Sequence, residues 1–127
     1  MLATTVEELR SVALAAADAS GYFPAMYARV TERIQIAAGS GRFDDPERME
    51  RFAATFASWY LRARSGGAAV PACWRAAFDV ADDSHLMIVQ NLLLGINAHV
   101  NFDLPQVVVE LAPDGGDLGA LRADYDG

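Results

Sequence analysis

The chain has 127 residues, 53% of them apolar and 21% charged, with a formal net charge of −7. That length suits one domain, which hides roughly two-thirds of its unfolded surface, and the composition is globular rather than disordered. The single Cys73 excludes an intrachain disulfide framework, two histidines and one cysteine exclude a zinc site built only from those ligands, and the acidic balance speaks against binding nucleic-acid phosphates.

The longest apolar runs are too short to span a bilayer. Glu7, Glu8 and Arg10 interrupt the stretch where a signal peptide would be apolar. A soluble, cytoplasmic protein with no membrane partner is therefore expected. All ten basic residues are arginine and alanine is abundant, which reads as codon bias more than as an anion-binding device. There is no internal repeat.

Gly, Pro and Asp punctuation divides the chain into about six segments. The first runs from about Val6 to Ala19, with Thr5 and Glu8 at capping-box spacing and Ser20-Gly21 as its stop. The second, about Phe23 to Ala38, places Phe23, Met26, Tyr27, Val30 and Ile34 on one apolar stripe. Arg29 and Arg33 lie four apart, and pairing with Glu32 and nearby carboxylates is favoured over an anion clamp. The third segment starts at Asp45-Pro46-Glu47: a cap, a first-turn proline and an acid at the positive end of the dipole. Met49, Phe52, Ala53, Phe56, Tyr60 and Ala63 share its core face, and Ser65-Gly66-Gly67 ends it.

Pro71 opens a short fourth helix holding Trp74, Ala77 and Phe78, with Cys73 as an inert core thiol. Asp82, Asp83 and Ser84 supply caps for a fifth, and His85 beside them reads as a neutral, exposed imidazole. The β-branched run Val107-Val108-Val109 is ambiguous between strand and helix, because Pro105 precedes it. Residues 1–111 form one helical domain in this reading. The acidic, Gly-rich 112–127 tail holds Leu118, Leu121 and Tyr125, the start of a further helix.

The fifth segment carries the chemistry. Along a helix from Leu86 to Leu104, Gln90, Asn97 and Asn101 fall within about 40° of one another, with His99 and Asp103 nearly opposite. No broad charged face remains, so the helix should be buried and its polar side chains largely dry. A buried amide without a partner costs on the order of 1–3 kcal/mol, and a carboxylate more. His99 and Asp103, four apart, can meet directly, and Asp103 should raise the His99 pKa while the second ring nitrogen points elsewhere. Three readings stay open: a structural hydrogen-bond network, an acid–base site, and a metal site drawing further ligands from a glutamate or His85.

The run Gly95-Ile96-Asn97-Ala98-His99-Val100-Asn101-Phe102-Asp103-Leu104-Pro105 resembles the signature of a bacterial, mainly actinobacterial, family of unknown function, domain-of-unknown-function family 5995. Tyr27-Ala28-Arg29-Val30-Thr31, Asp45-Pro46 with Met49-Glu50-Arg51, Trp74, and Leu121 to Tyr125 resemble its other helices. The resemblance implies an all-α domain that continues past Gly127 and a shared role for Asn97, His99, Asn101 and Asp103. It implies no activity.

The expected architecture is an all-α, compact bundle of five or six helices around a buried central helix. The expected site has His99 moving a proton, Asp103 setting its tautomer, and Asn97, Asn101 and Gln90 orienting a small oxygenated ligand. Tyr27, Thr31, Tyr60 and Trp74 would wall the pocket. The first function is a small-molecule enzyme doing metabolite tailoring such as cyclisation or hydrolysis. A non-catalytic module binding a hydrophobic ligand or partner chain, and a metal-dependent hydrolase, are the alternatives. No cofactor is identified, and a homodimer is left open.

Overall fold

Local chemistry sets several helix boundaries directly. In the computed structural model, which describes residues 2–66, 70–80 and 87–115 with side chains as far as Leu111, the Asp45 carboxylate accepts the Arg48 N–H at 3.0 Å and Pro46 occupies the first turn of the third helix. The elements are α1 (Leu2–Ala15), a 3-10 turn (Ala19–Gly21), α2 (Tyr22–Gly39), α3 (Pro46–Ser65), α4 (Ala72–Asp79), α5 (Ile88–Ala98), a π-helical turn (His99–Asp103) and α6 (Leu104–Gly115). The fold is all-α, with no strand among the described residues.

α1 packs along α2, and α2 in turn meets α3 and α5. α4 covers α5, while α6 and the π turn lie on α3. One core cluster joins Leu9, Phe23, Tyr27, Tyr60, Trp74 and Ala98. A second joins Met49 and Phe52 of α3 to Val107 and Leu111 of α6, and Trp59 Nε1 donates to Glu110 Oε2 at 3.0 Å across the same pair of helices. Gly41, at a φ of 77°, makes the turn between α2 and α3 in a conformation that glycine adopts without a steric penalty.

The chain order matches the expected segments, with two corrections and one ambiguity resolved. The first helix begins earlier, at Leu2, and stops at Ala15, so Thr5 lies inside it and its capping box is not formed. Asp18 caps the following turn instead, accepting the Ser20 N–H at 2.9 Å. Val107-Val108-Val109 is helical, within α6. Asp82, Asp83, Ser84, His85 and the tail beyond Gly115 lie outside the described residues.

The second correction concerns the central helix. α5, the π turn and α6 run on as one helical stretch, and its Ile88–Leu111 portion is 24 residues long, apolar and long enough to cross a membrane by length and composition. Short apolar runs, as counted in the sequence, did not anticipate that continuity across Pro105. The π turn explains it. Leu104 N–H donates to the His99 C=O five residues back. Pro105 has no N–H to give Asn101, and its ring would crowd that carbonyl in a regular α-turn. The wider turn takes up the mismatch without ending the helix. The stretch is not dry all round: Ile88, Val89, Leu93 and Val100 are exposed on one side.

Candidate functional site

The π turn puts His99 and Asp103 on the inner side of the central helix, and both are buried, at 5% and 0% exposure. α5 can approach that closely because residue 95 is glycine. A Cβ there would lie 2.7 Å from Cδ2 of Phe23 on α2, inside any tolerable contact. The aromatic rings of α2, α3 and α4 then enclose the imidazole. Phe56 stacks on it at 3.7 Å and 6° between planes, and Tyr27 meets it edge-on at 4.7 Å.

Four side chains form one hydrogen-bonded chain. Trp74 Nε1 donates to Asp103 Oδ2 at 2.9 Å. The same oxygen lies 2.7 Å from His99 Nδ1, and His99 Nε2 lies 2.7 Å from Tyr27 Oη. Burial lowers the His99 pKa, and the Asp103 hydrogen bond and charge oppose that shift without overcoming it. The expected rise is thus corrected: desolvation outweighs the carboxylate. With the imidazole neutral, Nδ1 carries the hydrogen given to Asp103 and Nε2 accepts the Tyr27 O–H. The second nitrogen faces a tyrosine rather than an open cavity.

Two buried oxygens stand without a hydrogen-bond partner among the described residues: Asp103 Oδ1 and Tyr60 Oη. Burial pushes the Tyr60 pKa up to about 12, with Arg64 pulling weakly the other way. Thr31 is fully buried, and its hydroxyl donates to the Tyr27 C=O at 2.9 Å, so it braces α2.

The amides separate from this cluster. Asn97 and Asn101 are exposed and bonded to each other, Asn101 Nδ2 donating to Asn97 Oδ1. Gln90 is also exposed and caps its own helix, with Oε1 accepting the Met87 N–H at 2.7 Å. The expectation that all five polar side chains are dry therefore holds only for His99 and Asp103. The other three reach water, because the outer side of α5 has no helix packed on it among the described residues.

A cleft of about 460 Å³ opens between α2 and α3. Its walls are chiefly apolar, with Ile34 and Ala37 on α2, Phe43 in the connecting loop, and Met49, Phe52 and Ala53 on α3. Tyr27 and Phe56 form the wall nearest the polar chain, so they stand between the cleft and His99. Of the expected pocket walls only Tyr27 lines it. Tyr60 and Trp74 border a void of about 20 Å³ instead. Sequence reasoning assigned Phe56 to the core and missed its second contact. The α3 stripe was visible, but the gap it leaves beside α2 was not.

Among the described residues no three His, Cys, Asp or Glu side chains come together as a ligand set. Both ring nitrogens of His99 are engaged by protein groups. The structure thus offers the metal-dependent hydrolase no donor set within those residues.

Residues 2–127 match the family of unknown function DUF5995. The chain belongs to that family. No curated protein and no solved structure matches it. Family membership bears out the expected resemblance to that family and carries no activity with it.

Proposed function

We propose that this member of the family binds a small apolar ligand in the α2–α3 cleft, with the Trp74–Asp103–His99–Tyr27 chain serving to hold the cleft wall in place. The observation that carries this reading is the cleft itself. Its volume of about 460 Å³ falls in the range of small-molecule sites, and its lining is largely apolar, with Tyr27, Arg33 and Arg42 as the polar side chains. A general base must come within hydrogen-bond reach of the proton it takes. His99 lies behind Tyr27 and Phe56 and spends both nitrogens on protein partners. A soluble, cytoplasmic setting is part of this reading, supported by the net charge of −7.

The test uses a neutral solvatochromic dye, Nile red. Wild-type protein is expected to bind it with a blue-shifted emission. Ala53→Phe and Ala37→Trp fill the cleft from its two sides, and each is expected to weaken binding at least tenfold while the circular dichroism spectrum stays helical. Equal binding by both folded variants overturns the reading.

An acid–base enzyme is the second reading, favoured by one observation. The hydrogen-bonded chain from Asp103 through His99 ends on Tyr27 Oη, and Tyr27 borders the cleft. Any proton transfer to a ligand would have to pass through that hydroxyl. Tyr27→Phe separates the two: the binding reading predicts dye affinity within a few-fold of wild type, and the enzyme reading predicts loss of turnover on whatever ligand co-purifies.

A further inference from the structure

We infer that the cleft ligand is an amphipathic monoanion, an apolar body ending in one carboxylate, held at the cleft mouth by Arg33 and Arg42. The inference rests on the binding reading above and adds the headgroup to it. Arg33 comes from the third quarter of α2 and Arg42 from the loop beyond Gly41, and both line the cleft. Both are exposed, so the guanidinium groups stand at its opening while Ile34, Phe43 and Phe52 form the apolar interior.

Most other described arginines are engaged, and Arg29 and Arg51, which make no ion pair among the described residues, do not line the cleft. Arg10 is bound to Glu7 and Glu32 at 3.1 and 3.0 Å. Arg48 faces Asp45, and Arg62 lies over the Trp59 ring at 4.3 Å. Glu32, the carboxylate expected to neutralise Arg33, is therefore committed to α1. The side chains of Arg33 and Arg42 have no ion pair or hydrogen bond among the described residues, in a chain with seven more acidic than basic groups. Two unpaired forks at the mouth of an apolar cleft complement one carboxylate, each offering parallel N–H donors. A neutral ligand would leave them without a counter-charge. A dianion with a large polar head would find no polar lining below them.

The matched probes are dodecanoate and dodecanol, each titrated calorimetrically below its aggregation limit into wild type and into the Arg33→Met, Arg42→Met double variant. Both positions are exposed, so the variant is expected to keep the wild-type melting temperature. Wild type is expected to bind the acid at least tenfold more tightly than the alcohol. That preference should shrink as salt rises and fall toward one in the double variant. Equal affinity of wild type for acid and alcohol overturns the headgroup assignment and leaves the cleft reading standing. Binding of neither probe, together with no dye response, overturns both. An unchanged preference in the double variant also overturns the assignment, because the anion would then be held elsewhere.

Discussion

The two sides of the central helix are built from one short run of sequence and differ in every physical respect. Facing inward, His99 and Asp103 are buried, ringed by Phe23, Phe56, Tyr27 and Trp74, and tied into a single hydrogen-bonded chain. Facing outward, Asn97 and Asn101 sit exposed beside Leu93 and Val100 and, among the described residues, their side chains bond only to each other. Polarity does not decide which residue is buried here; partners do. A carboxylate enters a core where an indole N–H and an imidazole N–H meet it. An amide with no donor or acceptor across from it stays outside.

The sharpest way to break the comparison is to remove the inner carboxylate. Asp103→Ala strands the Trp74 and His99 N–H groups in an apolar enclosure. The expected loss is about 3–5 kcal/mol of unfolding free energy, a large share of the roughly 5–15 kcal/mol typical of a domain. Urea denaturation followed by circular dichroism measures it. A loss below about 1 kcal/mol would mean that the chain of hydrogen bonds contributes little to the fold, since unpaired buried donors cost more than that.

Next in size is a dependence on pH. The folded-state pKa of His99 is lowered below its ordinary 6.5, chiefly by burial. As pH falls through about 6.5, the unfolded chain takes up the proton before the folded one does. The stability tied to neutral His99 is therefore complete above about pH 6.5 and is lost as pH falls toward the folded-state pKa. The limiting slope is about 1.4 kcal/mol per pH unit for one proton. Unfolding free energies between about pH 7.5 and 5.5 should fall less steeply in His99→Gln than in wild type, because the variant lacks the buried imidazole and keeps only His85. Parallel curves for the two proteins would place the titration elsewhere.

These contrasts show what the sequence made legible. Helical periodicity gave the element order, because apolar spacing and the Asp45-Pro46 start are local signals. The four-residue spacing of His99 and Asp103 was enough to expect their pairing. Their partners were not legible: Trp74 is 29 positions from Asp103 and Tyr27 is 72 from His99, and no local pattern encodes such meetings. The sign of the His99 shift needed the depth of burial, which the aromatic rings set together. The fate of Asn97 and Asn101 failed for a similar reason. An apolar helix reads as buried on all sides, yet the outer face of α5 is left uncovered among the described residues, and its angular pattern cannot say which neighbours are present. The cleft was invisible as well, since a stripe of core residues on α3 looks the same whether or not α2 closes against it.

The smallest expected effect sharpens the comparison from the outer side. Asn97→Ala with Asn101→Ala removes an exposed amide pair whose hydrogen bond competes with water at both ends. Such a bond adds little net stability, and alanine has the higher helix propensity at each position, so the two effects oppose each other. The double variant should unfold within about 0.5 kcal/mol of wild type, as surface substitutions usually do. The measurement is the same urea titration used for Asp103→Ala, which puts both sides of one helix on one scale. A loss above about 1 kcal/mol would not fit exposed side chains. It would require that something cover Asn97 and Asn101 in solution, and dependence of the loss on protein concentration would identify the cover as a second copy of the chain.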